Sequence, residues 1–198
     1  MQATDDELSS LLAPPSGFQY QLSVVHASSL TEAERNRCWD LLEQNMKDMY
    51  INSSWGWHPE DKLEELFHPH ARFILVRRSL DEGLGEVVAF LSFRFDMEEG
   101  EEVAYLYEVH VCSSCRRQGL GSILTDQLRR IASHYKMSSV MLTVFEANTH
   151  ALKLYESLGF VLHPTSPGYV DEGSESDEEW VDEDEEADDY RILYCPCA

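Results

Sequence analysis

The segment Arg116-Arg117-Gln118-Gly119-Leu120-Gly121 constrains the fold more than any other part of the chain. It follows Val103–Cys112, where apolar and polar residues alternate at strand period. It opens Gly119–Lys136, where Leu120, Ile123, Leu124, Leu128 and Ile131 fall on one side of a helix. A strand therefore runs through a tight turn into a helix N-terminus. Glycines at 119 and 121 let the backbone come close to a bulky anion. The unpaired N–H groups of the first helical turn favour negative charge there, and Arg116 and Arg117 add positive potential. The segment is not a Walker loop, because no Lys-Ser/Thr follows. It is not a dinucleotide fingerprint either, because G-x-G-x-x-G is incomplete.

Periodicity places the other elements around this turn. Phe18–His26 reads as a strand, and Leu30–Met49 as a helix with Thr31 as its N-cap. After an aromatic loop holding Trp55 and Trp57, Glu60–Leu66 is a short helix behind Pro59. Arg72–Arg77, Glu86–Phe95 and Val103–Cys112 form an antiparallel meander. Ser138–Phe145 is a strand, and Asn148–Leu158 a helix stopped by Gly159. Phe160–His163 and Tyr190–Tyr194 are further strands. The order β α α β β β α β α β β describes an α+β fold with helices packed on a central sheet. Residues 1–17, with Pro14, Pro15, Ser16 and Gly17, are expected to be a flexible arm, and 195–198 a tail.

Charge narrows the partners. Of 198 residues, 15 are Lys or Arg and 37 Asp or Glu, a net charge of −22. Between Asp171 and Asp189 stand 13 acidic residues and no basic one; the rest of the chain carries −9. Such a balance argues against sequence-independent nucleic-acid binding and against an anionic membrane surface. A polycationic partner is the natural complement. Residues 171–189 are expected to be disordered, since self-repelling carboxylates surround few apolar anchors. Ser174 and Ser176 precede acidic residues at the spacing an acidophilic kinase reads.

No apolar run reaches membrane-span length, and Met1–Ser10 is too acidic for a signal or transit peptide. Cytoplasm and nucleus are the expected locations. Cys38, Cys112, Cys115, Cys195 and Cys197 read as reduced thiols. The last four could supply zinc ligands, but no zinc-ribbon loop accompanies them, so no metal is expected.

Downstream lies Asn148-Thr-His-Ala151-Leu-Lys-Leu154-Tyr155-Glu-Ser-Leu-Gly159-Phe160. With R-x-x-G-x-G before N-x-x-A-x-x-L-Y-x-x-x-G-F, residues 18–194 resemble the GNAT family of acetyl-CoA-dependent N-acetyltransferases. The resemblance implies a mixed, mostly antiparallel sheet with helices on both faces, splayed open between Val103–Cys112 and Ser138–Phe145. The pantetheine of acetyl-CoA would lie in that cleft, paired with the backbone of Val109, His110 and Val111. The amides of Arg116, Arg117, Gln118, Gly119, Leu120 and Gly121 would hold the pyrophosphate. Asn148 would bond near the pantetheine arm, and Tyr155 would face the sulfur.

Further segments narrow the resemblance: Asn45–Tyr50, Ser54–Trp57, Phe93–Asp96, Tyr105–Val109, Met141–Phe145 and Tyr190–Leu193. They are similar to the N-alpha-acetyltransferase D branch, which acetylates the N-terminal serine of histone 4 and histone 2A, both starting Ser-Gly-Arg-Gly. The similarity implies that Tyr50 and Trp55 line the pocket for the first substrate residues and that Asp96 and Glu98 pair with the substrate arginine. Tyr105, Tyr107 and Glu108 would surround the amine, and Thr143 and Tyr190 would close the site. Glu108 would be the general base, through water or Tyr107. A backbone N–H near Val109 would serve the thioester oxygen, and Tyr155 or Tyr105 would protonate the thiolate. Transfer would be direct, in a ternary complex on a monomer. Strand alternation sets Tyr105, Tyr107 and Val109 on one face and Leu106, Glu108 and His110 on the other, so both sets reach one site only if the strand bulges. The branch lacks the acidic run that here precedes the last strand. Two rivals stand beside this expectation: a GNAT enzyme acting on a lysine or polyamine, and a non-enzymatic acidic module that binds histones.

Overall fold

The computed structural model describes residues 3–79, 83–170 and 188–197. In chain order the elements are α1 (Asp5–Ser10), β1 (Tyr20–His26), α2 (Glu32–Ile51), α3 (Pro59–Leu66), β2 (Arg72–Ser79), β3 (Leu84–Glu98), β4 (Glu101–Val111), α4 (Leu120–His134), β5 (Ser139–Phe145), α5 (Thr149–Ser157), β6 (Val161–Leu162) and β7 (Tyr190–Pro196). The expected order is present, with one helix added at the start. Local chemistry explains several boundaries. The Glu34 N–H donates to Thr31 Oγ1 while the Thr31 N–H donates to the Glu34 carboxylate, a capping box that starts α2. Gly159, at φ +83°, ends α5.

Residues expected to be a flexible arm instead include α1, capped by Thr4 and docked on β1. Leu8 is fully buried, the Val24 N–H donates to Ser9 Oγ, and the His26 N–H donates to Asp5. The expected tail is likewise built in: β7 runs to Pro196, Cys195 is buried, and the Cys197 N–H donates to the Ser138 carbonyl. Most of the acidic run lies outside the described residues. Its last residue, Asp189, accepts from both the N–H and the hydroxyl of Ser54 at 2.9 and 3.0 Å, so the expectation of disorder does not extend to it.

The strands make one seven-stranded sheet in the order β1-β2-β3-β4-β5-β7-β6. Every neighbouring pair is antiparallel except β4 and β5. α2 packs on β3 and β4, and α4 on β3, β4 and β5. Phe73, Phe90, Phe93, Leu91, Leu124 and Leu128 fill the core between them.

Three irregularities create the site. First, β3 and β4 form a longer hairpin than the sequence suggested, closed by Glu99 and Gly100, both at positive φ (49° and 82°), which suits a tight hairpin turn. Asp96 and Glu98 therefore stand on a strand, not in an acidic loop. Second, Ser92 pairs with Glu108 but Phe93 pairs with Leu106, so Tyr107 is the extra residue of a β-bulge. This is the bulge that the mixed faces of β4 required. Third, β4 and β5 pair only from Val103↔Ser139 to Leu106↔Leu142 and then part.

Candidate active site

Beyond Leu106 the diverging strands leave a cavity of about 330 Å3, lined by β4, β5, α5, α2 and α3. The bulge turns successive residues of β4 into it, so Tyr105, Tyr107, Glu108, Val109 and His110 all line one space. The Cys112 N–H donates to the Val88 carbonyl on β3. By alternation the N–H groups of Val109 and Val111 then point away from β3, into the gap that β5 has left. That unpaired edge can accept an extended amide chain as a further strand.

At the far end of β4 the backbone turns through Arg117 (φ 64°) and Gly119 (φ 77°) into α4. Among the described residues no side chain caps this helix, whereas α5 is capped by Asn148, whose Oδ1 accepts from the Ala151 N–H. The uncapped N–H groups and the left-handed residues make an anion cradle. A Cβ at Gly121 would meet the Leu154 side chain at 3.2 Å, so the small residue allows α4 and α5 to approach. The residues present thus fit a phosphate-bearing ligand whose extended arm reaches the cavity. Asn148 lines that cavity, but its Oδ1 is engaged in the cap. Among the described residues no group of three or more His, Cys, Asp or Glu could hold a metal ion.

The polar floor of the cavity is a buried network. Glu108 is 6% exposed. Its Oε1 meets the Lys62 ammonium of α3 at 2.9 Å and its Oε2 meets His110 Nε2 at 2.8 Å. Burial works against the charged carboxylate, but Lys62 and His110 outweigh it and hold the carboxyl at about 2. The same pairing raises Lys62 against its own burial. Lys62 also pairs with Glu65 and lies 4.8 Å over the Tyr50 ring. The expectation of Glu108 as general base meets a physical obstacle here. A carboxyl held so low does not keep a proton drawn from an α-amine of pKa about 7.7–8.0.

The tyrosines divide their work. Burial raises all of Tyr50, Tyr105, Tyr107 and Tyr155, so each keeps its proton at neutral pH. The Tyr107 hydroxyl donates to Asp96 Oδ2 at 3.0 Å, beneath the Arg94 guanidinium. The Tyr105 hydroxyl shares a 2.6 Å hydrogen bond with Thr143 Oγ1 across the last paired rung of β4 and β5. Among the described residues the Tyr155 hydroxyl makes no hydrogen bond, although it lines the cavity on α5. Of the two tyrosines the sequence suggested as acid, Tyr105 shares its hydroxyl with Thr143, whereas the Tyr155 hydroxyl has no partner among the described residues.

The outer wall is aromatic. Trp55 packs edge-on against Phe145 and Tyr190, at 5.2 and 5.1 Å, and lies 6.3 Å from Tyr50. Trp57 instead packs inward between Trp39 and Tyr50. Glu98 lines the same cavity. The structure thus gathers Tyr50, Trp55, Glu98, Tyr105, Tyr107, Glu108, Thr143 and Tyr155 around one space, with Asp96 and Tyr190 one contact away. Lys62 had not been singled out from the sequence. Lys62 sits in an otherwise ordinary acidic helix, and nothing local marks it as buried.

Comparison with known proteins gives concordant results. A family profile described as Acetyltransferase (GNAT) family matches residues 36–160. A curated relative, N-alpha-acetyltransferase 40 of Saccharomyces cerevisiae, is 38% identical over 103 residues, covering 42% of this chain and 35% of the relative. The match thus spans about a third of the length of that relative. Among solved structures, the fold matches NAA60 of Arabidopsis thaliana in complex with a bisubstrate analogue, at TM-score 0.61 and 13% identity. That match covers 90% of this chain and all of the other. It also matches the NatC complex bound to Gag peptide and CoA, at TM-score 0.62 and 13% identity over 91% and 100% of the two chains.

Proposed function

The chain belongs to the GNAT acetyltransferase family, and from that premise we propose that it acetylates the N-terminal α-amine of proteins beginning Ser-Gly-Arg-Gly, histone 4 and histone 2A. The observation that carries the proposal is the aromatic and acidic wall around the cavity. Tyr50 and Trp55 line it together with Glu98 of the β3–β4 hairpin, and Asp96 on the same hairpin accepts from Tyr107. An N-terminal serine is small enough for the aromatic end. An arginine two residues later presents a planar fork of donors that suits paired carboxylates. The likeness to a yeast N-alpha-acetyltransferase supports α-amine transfer over lysine or polyamine transfer. The uncapped start of α4 and the unpaired edge of β4 favour a cofactor-dependent enzyme over a purely acidic binding module. Cytoplasm and nucleus, where histones are made and used, are the locations this substrate requires.

Acetyl-CoA, when bound, supplies the thioester. The amides from Arg116 to Gly121 would hold its pyrophosphate, and the backbone of Val109 and Val111 its extended arm. The chain's own residues do the rest. Glu108 remains ionised beside Lys62 and attracts and orients the amine; it does not store the amine's proton, which leaves through the open cavity to solvent. The N–H groups of Val109 and Val111 face the gap and can donate to a carbonyl oxygen. The Tyr155 hydroxyl, kept protonated by burial and by the nearby Glu108 charge, can deliver a proton to a departing thiolate.

A peptide panel with labelled acetyl-CoA tests the assignment. Ser-Gly-Arg-Gly peptides should be acetylated at the α-amine, Ser-Gly-Ala-Gly peptides should lose at least about tenfold in kcat/KM, and an internal-lysine peptide should be inert. In the Asp96→Ala, Glu98→Ala double variant the arginine-to-alanine change in the peptide should cost little. Preference for the lysine peptide would overturn the assignment.

A further inference from the structure

The network beneath the cavity extends from the phosphate loop to the amine site, and its hydrogen-bond polarity can be read residue by residue. Arg116 Nη2 donates to Asn45 Oδ1 at 2.5 Å. A guanidinium has only donors, so the oxygen of the Asn45 amide must face it. The Asn45 nitrogen then faces two groups, the Val111 carbonyl at 3.3 Å and His110 Nδ1 at 3.4 Å. A carbonyl only accepts, which confirms this orientation of the amide. His110 Nδ1 therefore meets an N–H and must offer a lone pair. The ring proton belongs on Nε2, which faces the Glu108 carboxylate at 2.8 Å. His110 is 3% exposed, with the Phe90 ring at 5.2 Å.

We propose that Asn45 is a positioning residue: clamped by Arg116, it fixes His110 as the neutral Nε2–H tautomer and so aims one donor at Glu108. Two donors, Lys62 Nζ on Oε1 and His110 Nε2 on Oε2, then hold the carboxylate in one orientation toward the incoming amine. The catalytic consequence rests on the proposed role of Glu108, whereas the tautomer does not depend on it. The chain also links the loop expected to meet the cofactor's phosphates with the group that orients the acceptor.

Long-range 1H–15N spectra of the full chain labelled on histidine report which ring nitrogen carries the proton. The resonances of His110 are assigned by their loss in His110→Gln. The parent protein should show the ring proton of His110 on Nε2. In Asn45→Asp, a carboxylate oxygen replaces the amide nitrogen opposite Nδ1 and calls for an N–H there, so a proton on Nδ1 should appear. In Asn45→Ala the Nδ1-protonated form should appear. The kcat of Asn45→Asp on a Ser-Gly-Arg-Gly peptide should fall about tenfold, the scale of one hydrogen bond to a charged group, with KM for acetyl-CoA within about twofold. A parent spectrum with His110 protonated on Nδ1 would overturn the proposal whether or not the enzyme is active. An unchanged tautomer in both Asn45 variants would overturn it equally. If the spectra behave as expected and Glu108→Gln retains full turnover, the tautomer assignment stands and the role of Glu108 falls.

Discussion

Glu108 shows how far a single residue's chemistry depends on partners distant in the chain. Alone on an alternating strand it reads as a base; next to Lys62 and His110 its carboxyl is held low, which favours the anchoring role proposed above. The distinction has a measurable form. Glu108→Gln should lower kcat strongly but leave the pH dependence between about pH 6 and 9 in place, because a carboxyl held at about 2 does not titrate there. A base would instead take the limb with it when removed. The same group contributes to stability in a defined window. Its folded pKa lies below the unfolded value of about 4.5. The gap in unfolding free energy between parent and Glu108→Gln should therefore be full above about pH 4.5 and shrink as pH falls toward 2, in denaturant titrations across that range. What the sequence could not disclose here was Lys62. A lysine in Pro59–Leu66 has the composition of a solvated helix face, and only the docking of α3 over β4 buries it.

At the level of elements, the legible parts were those made by neighbours in sequence. The capping box of α2, the stop at Gly159 and the strand-turn-helix passage into α4 all depend on residues within a few positions of one another. Alternation also exposed the need for a bulge on β4, and the hydrogen-bond register puts it at Tyr107. The length of the β3–β4 hairpin was not legible. Glu98 and Glu101 resemble loop residues in composition, and it is the two positive φ angles at Glu99 and Gly100 that extend the ladder past them. The same reasoning makes the loop into α4 a sharp test. Gly119→Val forces a β-branched residue into φ +77°, although nothing lies within 4 Å of the new Cβ. The penalty is thus conformational, on the order of 1–3 kcal/mol. The relaxed loop should no longer present its amides together. Calorimetry should show acetyl-CoA affinity reduced at least about tenfold while the far-ultraviolet spectrum keeps its shape. Unchanged affinity in a folded variant would remove this loop from the phosphate site.

Across the whole molecule, charge and topology meet at one corner. The acidic run ends at Asp189, which is bonded to Ser54 beside Trp55, and the next residue is Tyr190. The described end of the acidic run thus joins the fold beside the aromatic wall of the cavity. The histone tail proposed as substrate is densely basic beyond its first residues, so attraction to the acidic run should raise its encounter rate more than its final affinity. Deleting residues 171–187, with Asp188 and Asp189 kept, should slow acetylation of full-length histone at low salt and leave a four-residue peptide unaffected. High salt should erase the difference. Equal rates for both substrates at every salt concentration would leave the run without a catalytic role.

Among the described residues, the four rungs from Val103↔Ser139 to Leu106↔Leu142 are the only ladder joining the leaf β1–β4 to the leaf β5, β7 and β6. Geometrically they are the vertex of a wedge. Any change in the angle between two leaves displaces an atom in proportion to its distance from the vertex. Tyr105 and Thr143, bridged at 2.6 Å beside the last rung, lie where that lever arm is shortest. Val111 and the start of α4 lie where it is longest. A change in that angle would therefore carry Val111 and the start of α4 through the largest arc and leave Tyr105, at the vertex, nearly still.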